Sequence, residues 1–233
     1  MAGFKTHITT STVLGIGYGG AAFWLYDLPA PRCILAAGLC SVSGMLPDLD
    51  SDSGTPLRES IAFAAAVVPM LLIERWKQYG WSHESMVLAG GLVYLLIRFG
   101  LSKVLKRFTV HRGMFHSLPA ALIAGEISFL LCSSGQFPIR MYQAGAVVLG
   151  FMSHLVLDEI WSIEWHYGRI RLKSSSGTAI KFWGQSGMSN LFAYACMLML
   201  LLLVLNDPIW VGVSPTGDEA HQIATTLLHQ LRR

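Results

Sequence analysis

Residues 190–205 read NLFAYACMLMLLLLVL, an apolar run without a charged side chain. Hydrocarbon offers no water to backbone N–H and C=O groups, so a spanning segment must be a helix of about 20 mostly apolar residues. Working back from this run, six more stretches approach the same standard: 141–157, 115–132, 85–99, 60–73, 32–46 and 9–26. Those at 32–46 and 60–73 are short and are expected to be tilted, re-entrant or partly interfacial. Pro29, Pro31 and Pro47 punctuate the early breaks, and Trp76, Tyr79 and Trp81 surround a later turn as interfacial aromatics do. The pattern predicts an all-α fold, a polytopic transmembrane helical bundle of about seven spans, with five as the lower bound. The bundle is expected over residues 1–210. The tail 211–233, ending GDEAHQIATTLLHQLRR, has the character of a short amphipathic surface helix.

Composition agrees. Of 233 residues, 53% are hydrophobic and 13% charged, against about 25% charged in soluble domains. Mean hydropathy is +0.49. A net charge of +3 with no dense basic run gives no reason to expect nucleic acid as a partner. Cys33, Cys40, Cys132 and Cys196 lie scattered in apolar runs without a CxxC pair, so they are expected to be small buried hydrophobes. The first apolar segment fits a cleavable signal poorly, given His7 and its glycines, and is expected to be retained.

Counting faces gives a topology. Seven spans place the N-terminus and the loops 48–58, 100–114 and 158–189 on one side. That side carries Lys5, Arg58, Lys103, Lys106, Arg107, Arg112, Arg169, Arg171, Lys173 and Lys181. The other side carries Arg32, Arg75, Lys77, Arg140, Arg232 and Arg233. The excess marks the N-terminal side as cytoplasmic under the positive-inside rule.

Four polar motifs stand out against this background, and the topology sends all four to the N-terminal side. They are His7 in KTHITTS; Asp48, Asp50 and Asp52 in LPDLDSD; His111, Arg112, His116 and Ser117 in HRGMFHS; and His154 and Asp158 in SHLVLDE. His154 and Asp158 stand i, i+4 and share a helix face. His111 and His116 are five apart, which a loop bend at Gly113 can accommodate. Imidazole and carboxylate without thiolate is a ligand set for zinc, manganese or iron. The expected ligands are His7, Asp48, Asp50, His111, His116, His154 and Asp158. Seven are too many for one tetrahedral ion, so two divalent ions, zinc first among them, are expected. Arg112 can grip an anionic group in a bidentate fashion. Each motif alone has an ordinary explanation, such as an acidic turn or a polar helix cap; their convergence carries the argument. Glu126, near the middle of a span, stands apart from the cluster.

These residues, His7, LPDLDS at 46–51, HRGxxHS at 111–117 and SHLxLD at 153–158, resemble the YdjM-type inner-membrane metal-dependent hydrolases, over about residues 1–160. That family is in turn thought distantly similar to zinc-dependent phospholipases C. The resemblance implies a bacterial inner-membrane hydrolase and, more faintly, a phosphoester substrate. The expected function is cleavage of a membrane lipid or other phosphoester at the cytoplasmic face by a metal-activated water, with Arg112 and Glu159 as catalytic groups. Two other classes compete. A divalent-cation transporter would place its ligands near the midplane, often within inverted repeats, and neither is visible. A non-catalytic scaffold would need only a closed four-ligand site.

Overall fold

The computed structural model describes residues 3–50, 55–101, 114, 116–132, 134–166, 169–172, 180–184 and 186–211. In chain order come α1 (Phe4–Tyr26), α2 (Ala30–Ser43), a 3-10 turn (Leu46–Asp50), α3 (Thr55–Gln78), and α4 (His83–Leu95) running into a π-helical turn (Leu96–Leu101). Then follow α5 (Leu118–Leu131), α6 (Phe137–Ile160), β1 (Ile163–His166), β2 (Arg169–Leu172), α7 (Gly187–Leu205) and a 3-10 turn (Pro208–Val211). One α-helix accounts for most of each of the seven apolar stretches, although α2 ends at Ser43, α4 at Leu95, and α5 starts only at Leu118. The third is longer than expected, because α3 extends the 60–73 run into charged residues at both ends.

Two segments, Ala30–Asp48 and Gly187–Leu205, are long and apolar enough to cross a membrane by length and composition. The fold is predominantly helical, as expected. One departure is the antiparallel β1–β2 hairpin, pairing Ile163 with Leu172 and His166 with Arg169, in the region expected to be loop. The tail 212–233 lies outside the described residues.

Local sequence explains the helix ends. Ser117, Ser82 and Ser186 cap α5, α4 and α7 by accepting the N–H of Ala120, Ser85 and Ser189. Proline opens α2, α5 and α6, where its missing N–H costs nothing.

The core is a seam of small residues. On α1 the buried positions are His7, Ser11, Gly15, Gly19 and Ala22, a single stripe at spacings of four and three. On α2 they are Cys33, Ala36, Cys40 and Ser43. In lipid, side-chain bulk gains nothing over acyl chains, so helices associate by close backbone approach. A Cβ on Gly15 would stand 2.5 Å from the Ala37 carbonyl oxygen, and one on Gly19 2.7 Å from that of Cys33. α6 closes the other side: its Gly150 lies against the Cys40 carbonyl and Ser43 Oγ. Polar cross-links lock the register. Ser11 Oγ donates to Ser41 O at 2.7 Å, and Tyr18 OH donates to Tyr142 O at 3.0 Å. All four cysteines are free; Cys33, Cys40 and Cys132 are buried as expected, whereas Cys196 on α7 is only half-buried. α5 packs on α6 and α7 on α5. Outward faces of α4 and α7 expose Val87, Leu88, Leu92, Leu191, Phe192 and Leu198, a surface suited to hydrocarbon and a liability in water.

At the far end of the bundle, three residues distant in sequence form an ionic staple. Arg140 Nη1 and Arg75 Nη2 both donate to Asp207 Oδ2, at 2.8 and 3.0 Å, and Arg140 Nε donates to Ser134 O at 2.6 Å. Burial raises the Asp207 carboxyl pKa, but the Ile209 N–H and the Arg140 and Arg75 guanidiniums outweigh it and hold it below the usual range. A depressed folded value means stability fully present above the unfolded pKa and lost as pH falls through the folded one. Asp207→Asn is therefore expected to cost about 3 kcal/mol at neutral pH, since it strands buried Arg140. In pH-resolved thermal unfolding in detergent, the gap from wild type should close only below about pH 4.

Candidate metal centre

Four elements deliver side chains to one point at the opposite end. The buried stripe of α1 begins with His7 in its first turn, so the face that packs on α2 carries the imidazole inward. Pro47 interrupts the chain after α2, and the 3-10 turn that follows presents Asp48. His116 directly precedes Ser117, the α5 cap, whose Oγ also bonds Met114 O. His154 and Asp158 share the inner face of α6.

The resulting geometry is compact. His7 Nε2 lies 3.2 Å from Asp158 Oδ1. His154 Nε2 lies 3.6 Å from both Asp158 Oδ2 and Asp48 Oδ1, and His116 Nε2 lies 3.5 Å from Asp48 Oδ1. The His7 and His154 rings stack at 3.6 Å and 12°. Two groups of donor atoms emerge, His7–His154–Asp158 and Asp48–His116–His154, each within 4.8 Å of one another. His154 is the hub of both and is fully buried.

Three observations test whether these residues suit a metal. First, His154 Nδ1 meets Gly44 O at 2.7 Å. A carbonyl only accepts, so Nδ1 carries the proton there and Nε2 is the atom left for the cluster. Second, His154 Nε2 and both ring nitrogens of His116 are buried without a hydrogen-bond partner among the described residues, a costly state that a bound cation relieves. Third, ligands at zinc distances of about 2.0–2.1 Å and tetrahedral angles stand about 3.3–3.4 Å apart, close to the separations above. The residues fit a divalent ion.

The cluster is not uniformly closed. The side chains of His7, Asp158 and His154 are at most 2% exposed, whereas Asp48 is 23% exposed. The open edge of the centre is therefore at Asp48. One imidazole nitrogen has one lone pair, so His154 cannot complete both groups at once; a second ion would have to share a carboxylate, whose two oxygens allow bridging.

Of the seven expected ligands, His7, Asp48, His116, His154 and Asp158 come together. Asp50 closes the 3-10 turn, but its side chain, like His111 and Arg112, lies outside the described residues. Glu159 follows Asp158 on α6 and belongs to neither group; one helical residue on, it projects about 100° away. Glu126, half-buried on α5, is also outside both groups. The sequence did not single out Gly44 or Ser11. The only signal at Gly44 was a glycine after an apolar run, which ordinarily marks a helix end.

A family model described as YdjM inner membrane protein matches residues 1–206. No curated protein and no solved structure matches the chain.

Proposed function

The chain belongs to the YdjM inner membrane protein family, and from that premise we propose that it is a multi-pass, metal-dependent hydrolase acting on a lipid or other phosphoester at the cytoplasmic face. The observation that carries the proposal is the buried cluster built on His154, with ring nitrogens that have no hydrogen-bond partner among the described residues and donor spacings suited to a cation. The multi-pass reading is supported by α6 itself. Arg140 in its first turns joins the ionic staple, and His154, 14 residues on, joins the metal centre. At about 1.5 Å per residue these lie about 21 Å apart, with apolar helix faces between. Charge at both ends and hydrocarbon-like surface in the middle is what a transverse bundle requires.

His7, Asp48, His116, His154 and Asp158 would hold the ion, with Asp50 and His111 as further ligands and zinc, manganese or iron as the metal. A divalent ion held there supplies Lewis acidity toward a phosphoryl oxygen and toward water. The exposed edge at Asp48 gives an anionic substrate its approach, and Arg112 is the group proposed to bind its oxygens. One of the cluster's carboxylates, or Glu159 next to Asp158, is proposed to accept the proton from water and return it to the alkoxide oxygen that leaves as the phosphoester bond breaks. The scaffold alternative draws support from the closed inner group alone; the open Asp48 edge favours hydrolysis.

Turnover separates the readings. Purified protein in a total lipid extract should convert a phospholipid to a new product, detected by mass spectrometry. Chelation or Asp48→Ala should reduce the rate by about 100-fold or more. Bound metal without any turnover would favour the scaffold, and cation flux across vesicles a transporter.

A further inference from the structure

The residue directly after α2 has ordinary right-handed backbone, φ −63° and ψ −9°, so glycine is not required at position 44 for its conformation. Space is the constraint. A Cβ there would stand 2.5 Å from both Cβ and Oγ of Ser11, and Ser11 is itself fully buried and tied to Ser41 O at 2.7 Å. Both sides of this contact lead to the metal centre. His7 lies one helical turn before Ser11 on the same face of α1. Gly44 O receives the Nδ1–H of His154 at 2.7 Å, and Asp48 follows four residues later in the 3-10 turn.

We propose that Gly44, seated against Ser11, is a positioning residue for the metal centre: the close approach sets the distance between α1 with His7 and the turn that orients His154 and carries Asp48. A methyl at position 44 has to displace one side or the other. If α1 moves, His7 leaves Asp158 and the stacked His154 ring. If the turn moves, the carbonyl leaves His154 and frees its ring to rotate. Both routes loosen the ligand set without removing a ligand. Loss of the partner that orients a metal-bound histidine costs about 10–100-fold in affinity. The proposal rests on metal binding at this centre and not on hydrolysis.

The test uses the full chain in detergent with Zn2+ and Co2+ as probes, in chelator competition and in the visible spectrum of the Co2+ form. Gly44→Ala should bind about 10–100-fold more weakly with an altered Co2+ spectrum. Adding Ser11→Gly, which removes the clashing Cβ, should restore affinity and spectrum. Adding Ser11→Ala, which keeps the Cβ, should not. Independently, histidine 15N NMR of the metal-free wild type at pH 8 should find His154 protonated at Nδ1. Wild-type affinity in Gly44→Ala, equal rescue by Ser11→Ala, or protonation at Nε2 would overturn the proposal. If Gly44→Ala fails to fold, the NMR result on the wild-type chain decides. Absence of binding by wild type would instead defeat the metal centre itself.

Discussion

Alanine at His154 is expected to strip the protein of its divalent metal while leaving the bundle folded. No other described residue belongs to both ligand groups, since His154 Nε2 faces Asp48 on one side and Asp158 on the other. Its removal also leaves buried Asp158 and half-buried Asp48 without the imidazole between them. Changing a partner behind a ligand costs about 10–100-fold in metal affinity, so deleting the ligand shared by both groups should cost about 100-fold or more. Folding is expected to survive because α6 is held elsewhere. Its packing on α1 and α2 runs through Ala146 and Gly150, and its far end is pinned by Arg140. Isothermal titration with Zn2+ measures the loss, and circular dichroism with size exclusion checks the fold. Unchanged zinc affinity would remove His154 from the centre.

The second large effect is expected at Gly150, where the smallest possible addition meets the tightest point of the seam. A Cβ there would overlap both the Cys40 carbonyl oxygen and Ser43 Oγ. A backbone carbonyl inside a helix cannot swing aside as a flexible side chain can, and Ser43 Oγ is engaged with Cys40 O at 3.0 Å. The remaining response is to push α2 off α6. Overpacking of this kind costs about 1–3 kcal/mol and at times more. Gly150→Ala should fall at or beyond the top of that range, seen as a lower unfolding temperature in detergent and faster proteolysis. Gly17→Ala is the control. Its added Cβ meets nothing within 4 Å, and in a helix alanine is favoured over glycine by about 0.5–1 kcal/mol. Equal behaviour of the two variants would disprove the packing account.

What the sequence disclosed followed from which forces act locally. The seven apolar stretches were visible because each is an uninterrupted run in the sequence, and a helix satisfies its backbone hydrogen bonds within its own segment. The ligand cluster was visible in pieces because each piece borders an apolar run, where a polar residue stands out. Contacts between helices were not visible. The Arg75–Asp207–Arg140 staple joins residues 132 and 67 positions apart, and no periodicity points to Asp207. The role of Gly44 depends on a carbonyl meeting a histidine 110 residues later, and any residue type offers a carbonyl. The α1 stripe mixes histidine, serine, glycine and alanine, so hydropathy alone does not mark it as the buried face; only the partner helix reveals its use. The 163–172 hairpin arose where polar and apolar residues alternate over too few positions to separate a strand from loop.

The proposed chemistry depends on a metal held by His154 and its neighbours. Elemental analysis of the protein purified in detergent, wild type beside His154→Ala, tests it most directly. Roughly one to two equivalents of zinc, manganese or iron are expected in the wild type, and a near-empty variant of equal helicity. A folded wild type that carries no metal, and takes up none of these three when they are supplied, would contradict it.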